Sequence, residues 1–194
     1  VASGVVRKGD GIMVLPSGKS SRIKSIVTYD EELEIAFTDM AITLTLEDEI
    51  DVSRGDVIAH SDNLPTSQDS FETTVVWMTE NPLLPGKLYD FKLGTKTVSG
   101  QVKTIHSRID VNTIKKSPAP ALELNEIGLV EVIVDQPFSF DSYKHNRATG
   151  RFIVIDRLTN VTVGAGMINC EQRPKTQLVE SHNMHVSKKE RAAR

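Results

Sequence analysis

The chain has 194 residues, of which 39% are hydrophobic and 25% charged, enough to bury a core and too apolar for wholesale disorder. A net charge of −3 gives no global basic field for nucleic acid, and no apolar run approaches the roughly 20 residues that span a bilayer. The single Cys170 excludes an internal disulfide framework and a cysteine zinc site, and it fits a reduced, cytoplasmic setting. Val1-Ala2-Ser3-Gly4 has neither the charged segment nor the apolar run of a signal peptide. No Met opens the chain, so a piece of a longer protein is expected.

Short runs rich in Val, Ile and Thr recur between turn signals. The first are Gly11-Ile12-Met13-Val14-Leu15, then residues 21–27 and 41–46. The last two alternate apolar with polar, as a strand with one buried face does. Lys8-Gly9-Asp10-Gly11, Pro16-Ser17-Gly18 and Ser53-Arg54-Gly55-Asp56 punctuate them. Residues 28–37 and 140–146 are the only stretches that suit a helical turn or two. The polar run 61–70, with Pro65, reads as the domain boundary. Strand patterns resume at 71–78, 88–93, 97–105, 127–134, 152–156 and 162–168. This spacing predicts an all-β chain: a first β-barrel over 1–66, a second over 67–170, and a polar tail over 171–194. The tail holds six basic and three acidic residues, about +3, which leaves the body at about −6.

Residue chemistry returns mostly exclusions. Ser17-Gly18-Lys19-Ser20 imitates the end of a phosphate-binding loop, but Met13 stands where the first glycine belongs and no helix follows. A hairpin turn is the better reading. Gly164-Ala165-Gly166 lacks the third glycine of a dinucleotide fingerprint and reads as a bulge or a close backbone approach. The guanine-reading Asn-Lys-x-Asp and the switch Asp-x-x-Gly motifs are absent. His60, His106, His145, His182 and His185 include no pair at helical metal spacing. Asp48, Glu49 and Asp51 could take a cation, but Arg54 follows and can pair with them. Asp141, Tyr143, His145 and Arg147 line a polar loop or a small pocket. Trp77 alternates with Val75 on an apolar strand, where packing is its natural work. No catalytic, cofactor-binding or metal-binding residue emerges.

Several of these runs, in order over nearly all of residues 1–170, resemble the region after the GTPase domain in the large subunit of bacterial sulfate adenylyltransferase. They include Val14-Leu15-Pro16-Ser17-Gly18, Asp51-Val52-Ser53-Arg54-Gly55-Asp56, Val76-Trp77-Met78, Tyr89-Asp90-Phe91-Lys92, Asp141-Ser142-Tyr143 and Asn160-Val161-Thr162-Val163-Gly164-Ala165-Gly166-Met167. His182-Asn183-Met184-His185 with Val186-Ser187-Lys188-Lys189 resembles the lead-in to a fused adenylylsulfate kinase.

The resemblance implies two barrels like domains 2 and 3 of translation elongation factors, starting inside the first. It implies an enzyme that makes adenylylsulfate and diphosphate from ATP and sulfate, driven by GTP hydrolysis. GTP and Mg would belong to a GTPase domain and ATP to the small catalytic subunit or a kinase domain, so these residues alone are expected to be inactive. Trp77, Tyr143 and Arg157 are the expected interface or packing anchors. Two other readings stay open here: a translation-factor-like barrel module that binds RNA, and a metabolite-binding barrel with its pocket near residues 141–147.

Overall fold

The computed structural model describes residues 1–169, and every regular element among them is a strand. Cys170, His182, His185 and the predicted tail lie outside the described residues. The first half carries β1 (Val5–Arg7), β2 (Gly11–Leu15), β3 (Lys19–Val27), β4 (Glu32–Leu33), β5 (Ile35–Phe37), β6 (Thr43–Leu46) and β7 (Val57–His60). The second carries β8 (Thr66–Trp77), β9 (Leu88–Leu93), β10 (Lys96–Ile109), β11 (Lys116–Ser117), β12 (Ile127–Phe140), β13 (Arg151–Ile155) and β14 (Thr162–Ile168).

The second half closes on itself. Strands β10, β12, β8, β14, β13 and β9 follow one another by hydrogen bonding, and β9 pairs back onto β10. That makes a six-stranded barrel with no free edge in the ring. Closure follows from alternation: β9 buries Tyr89, Phe91 and Leu93, and β12 buries every second residue from Gly128 to Val134. The scarce aromatics concentrate inside it. The Phe71 ring lies 5.1 Å from Phe140 and 5.8 Å from Phe152, the tilted and edge geometries that aromatic quadrupoles favour. The ladder between β12 and β8 breaks its register between Ile133 and Phe138. Pro137, which has no N–H to give a ladder, sits in that break.

The first half is a half-barrel. Its sheet runs β4-β3-β2-β7, with β6 also on β3, and β1 pairs β5 separately. Its core is small, built on Ile12, Val14, Ile23, Ile26 and Ala36. The tight turn at Gly18, with φ of 71°, joins β2 to β3, and Gly18 N–H donates to Val14 O at 2.8 Å. The Ser17-Gly18-Lys19-Ser20 run is therefore a hairpin, not a phosphate loop.

Three expectations about local structure are corrected. Residues 28–37 hold β4 and β5 rather than a helical turn, because Ile26 and Val27 of β3 take Leu33 and Glu32 as ladder partners. Residues 140–146 end β12 and turn without forming a helix. The polar run after Ser61 becomes strand at Thr66, since Thr66, Ser67 and Gln68 pair with the far end of β12. Backbone pairing decides there, not side-chain polarity.

Candidate functional site

Glycines in β14 let two rings approach the backbone. A Cβ on Gly164 would stand 3.1 Å from the Trp77 ring, and one on Gly166 would collide with Phe152. Both readings of Gly164-Ala165-Gly166 hold: the rings approach closely, and the β13–β14 register shifts beside Gly164, between Val154 and Ile155. Trp77 is buried, donates its Nε1–H to Asn81 O at 2.7 Å, and meets Tyr89 edge-on at 5.5 Å. Tyr89 is buried as well, and desolvation pushes its hydroxyl above the ordinary range.

A charged cluster surrounds this end of the barrel. Lys87 Nζ lies 3.1 Å from Asp156 Oδ2 and 5.0 Å above the Tyr89 ring. Asp156 Oδ1 also accepts from the Leu158 and Thr159 N–H groups and from Thr159 Oγ1. The Lys87 hydrogen bond comes first among the causes that lower the Asp156 carboxyl to about 2, and the turn's N–H groups add to it. Arg157 Nε faces Asp90 Oδ1 at 3.4 Å, and Ser99 Oγ donates to the same oxygen at 2.8 Å. Every carboxylate in the cluster has a cation or donor, so the cluster ties β9, β10 and the β13–β14 turn together. Its hydroxyls, Ser99 and Thr159, donate to carboxylates that already face Arg157 and Lys87.

Tyr143 stands at the opposite end of β13. Its N–H donates to Ile168 O at 2.9 Å, and it lines an apolar groove of about 480 Å³ with Val76, Ile153, Ala165 and Met167. Neighbouring Asp141 is engaged by Asn146 Nδ2 and Thr149 Oγ1, so it braces its own loop. Trp77, Tyr143 and Arg157 therefore occupy a core, a groove and a surface ion pair, and they do not converge. Among the described residues no three His, Cys, Asp or Glu side chains gather as metal ligands. Among the described residues no helix is long and apolar enough to cross a membrane.

The place where the two halves meet escaped sequence reasoning. Arg54, Gly55 and Asp56, just before β7, face the β9–β10 hairpin across a polar cleft of about 520 Å³, lined also by Lys92, Lys96 and Gln136. Arg54 makes no ion pair with Asp48 or Asp51: Asp48 accepts from Ser21 Oγ, and Asp51 pairs with Lys19. The available signals were Ser53-Arg54-Gly55-Asp56 and Tyr89-Asp90-Phe91-Lys92, which nothing local tied together.

Residues 70–169, nearly all of the closed barrel, match a family model described as GTP-eEF1A C-terminal domain-like. The chain belongs to this family. Outside the matched region, similarity extends through the half-barrel. Over 168 residues, 87% of this chain, it is 56% identical to sulfate adenylyltransferase subunit 1 of Alteromonas mediterranea. It is 52% identical over the same length to the bifunctional enzyme CysN/CysC of Rhodopirellula baltica. The chain spans 36% and 26% of those two relatives. Among solved structures, sup35 complexed with GDP superimposes with a TM-score of 0.79 over 89% of this chain and 43% of that one, at 18% identity. At that identity the likeness concerns the fold: a GTP-eEF1A C-terminal domain-like barrel preceded by a second β unit.

Proposed function

We propose that these residues form the barrel arm of a GTP-dependent sulfate adenylyltransferase large subunit. The arm comprises a first unit over 1–66 and a second over 67–170, with 171–194 leading towards an adenylylsulfate kinase. The arm does no chemistry. It holds a GTPase domain, which carries GTP and Mg, against the small catalytic subunit, which uses ATP and sulfate in the cytoplasm. A nucleotide-driven change is then felt as altered docking geometry. The observation that carries this reading is 56% identity to a sulfate adenylyltransferase subunit over 168 residues.

Calorimetry of this chain with the small subunit, at two salt concentrations, tests it. Binding without GTP is the expected result. No binding, together with GTP-stimulated synthesis that survives deletion of the second barrel from the whole subunit, overturns the arm. The RNA-binding alternative predicts a steep salt-dependent affinity for RNA, which the body's charge of about −6 opposes. Ligand-induced stabilisation by ATP, GTP or adenylylsulfate would favour the metabolite-pocket alternative.

A further inference from the structure

The cleft between the half-barrel and the barrel gathers three cations, Arg54, Lys92 and Lys96, around a single carboxylate, Asp56. They stand together in a body that is acidic as a whole, at about −6. Elsewhere Lys8, Lys19, Lys87, Lys103, Arg108 and Arg157 sit against carboxylates, whereas others such as Arg22, Lys24 and Arg151 stand on the surface outside such pairs. Among the described residues, Arg54 and Lys92 have no such partner. The Lys96 ammonium donates to Pro137 O at 2.8 Å, which leaves two of its three protons unspent. Asp56 supplies one negative charge, with its Oδ2 accepting from the Ser53 N–H at 2.8 Å within its own turn, which leaves the lining with two more cations than anions.

Backbone packing sets the Arg54 loop against Lys96. Gly55 takes a φ of 101°, and a Cβ there would stand 3.3 Å from the Lys96 Cβ. The residue beside Arg54 is thus pressed onto Lys96, which carries one of the two ammonium groups. Thr97 and Gln136 add neutral donors to the wall. An excess of positive charge in one cleft is relieved by an anion, and several oxygens on one centre can meet several donors at once.

We propose that this cleft binds a tetrahedral oxyanion, phosphate or sulfate, through Arg54, Lys92 and Lys96. Because one cation comes from the half-barrel and two from the barrel, the bound anion fastens the two units together. Binding therefore stabilises their contact by linkage.

The test is an amide NMR titration of the 194-residue chain with sodium sulfate and with sodium phosphate, each against sodium chloride at matched ionic strength. Thermal melts are run in parallel. The expected result is saturable shifts at Arg54, Gly55, Lys96 and Thr97 with at least one of the two anions, and a matching rise in Tm. Arg54→Gln and Lys92→Gln should each weaken binding by about tenfold, whereas Arg54→Lys should keep most of it. These side chains are solvent-facing, so unchanged chloride-state spectra check that the variants fold. Shifts that chloride reproduces, or that Arg54→Gln leaves intact, overturn the proposal. So does a response to an RNA oligonucleotide with none to either inorganic anion. The small-subunit binding experiment is separate, so failure of one reading does not entail failure of the other.

Discussion

Gly55 backs directly onto Lys96, with room for an added Cβ only at 3.3 Å from the lysine Cβ and 3.4 Å from its Cα. This contact joins a loop of the half-barrel to the first residue of β10 in the barrel. Gly55→Ala meets two obstacles there, a positive φ of 101° and a neighbour that must give way. The expected cost is about 1–2 kcal/mol, read by urea unfolding. Gly11→Ala is the control, since its Cβ meets only Ser61 Oγ at 3.4 Å. Equal effects of the two changes would deny the contact its role.

The Lys87–Asp156 pair should make acid stability depend on one carboxylate. Its native value is lowered to about 2, against about 3.9 for an unfolded Asp. In that window the unfolded chain takes up the proton first. The contribution is therefore complete above about pH 4 and is lost as pH falls through about 2. Asp156→Asn should be less stable near neutrality and show a flatter decline between pH 5 and pH 2 than the parent. Parallel declines in denaturant melts across that range would contradict the assignment.

Trp77 is the only tryptophan, and it lies inside the second barrel. Its emission should be blue-shifted in the native chain and should report unfolding of that barrel alone. Trp77→Phe leaves Asn81 O without the Nε1–H donor now 2.7 Å away and opens space beside Tyr89. A loss of about 2–3 kcal/mol is expected. A change below about 0.5 kcal/mol would show that the indole is not packed as described.

Gly100 in β10 is buried where its strand crosses β12, and a Cβ there would strike Ile133 O and stand 2.9 Å from Val134 Cα. Both neighbours are backbone, so no rotamer change relieves the clash. Gly100→Ala should cost at least about 1–3 kcal/mol. Its melting temperature would fall by several degrees, and an unchanged value would exclude so close an approach of β10 and β12.

GTP hydrolysis and adenylylsulfate formation should both be absent from the purified 194-residue chain. Phosphate-release and pyrophosphate assays check this, and turnover in either would require a site that the described residues do not assemble.

The strands with strong alternation were legible in the sequence. Residues 88–93 and 162–168 became β9 and β14 at those limits, because apolar residues at every second position have only one way to face a core. The short strands β1, β4, β5, β7 and β11 were not, since two to four residues carry too little pattern and are set by the partner across the ladder. The roles of single residues were legible only in part. Trp77 announced a packed position by its neighbours, whereas the fate of Tyr143 and Arg157 depended on which loops came beside them.

What the sequence determined by itself is the all-β class, the hairpin at Gly18 and the likeness to a sulfate adenylyltransferase subunit, because each rests on residues adjacent in the chain. What only the tertiary structure decided is closure of β13 onto β9, the pairing of Lys87 with Asp156, and the meeting of Arg54 with Lys92 and Lys96 in one cleft. These join residues from 38 to 69 positions apart in the chain. No spacing rule reaches across such separations; packing of the aromatic core brings them together.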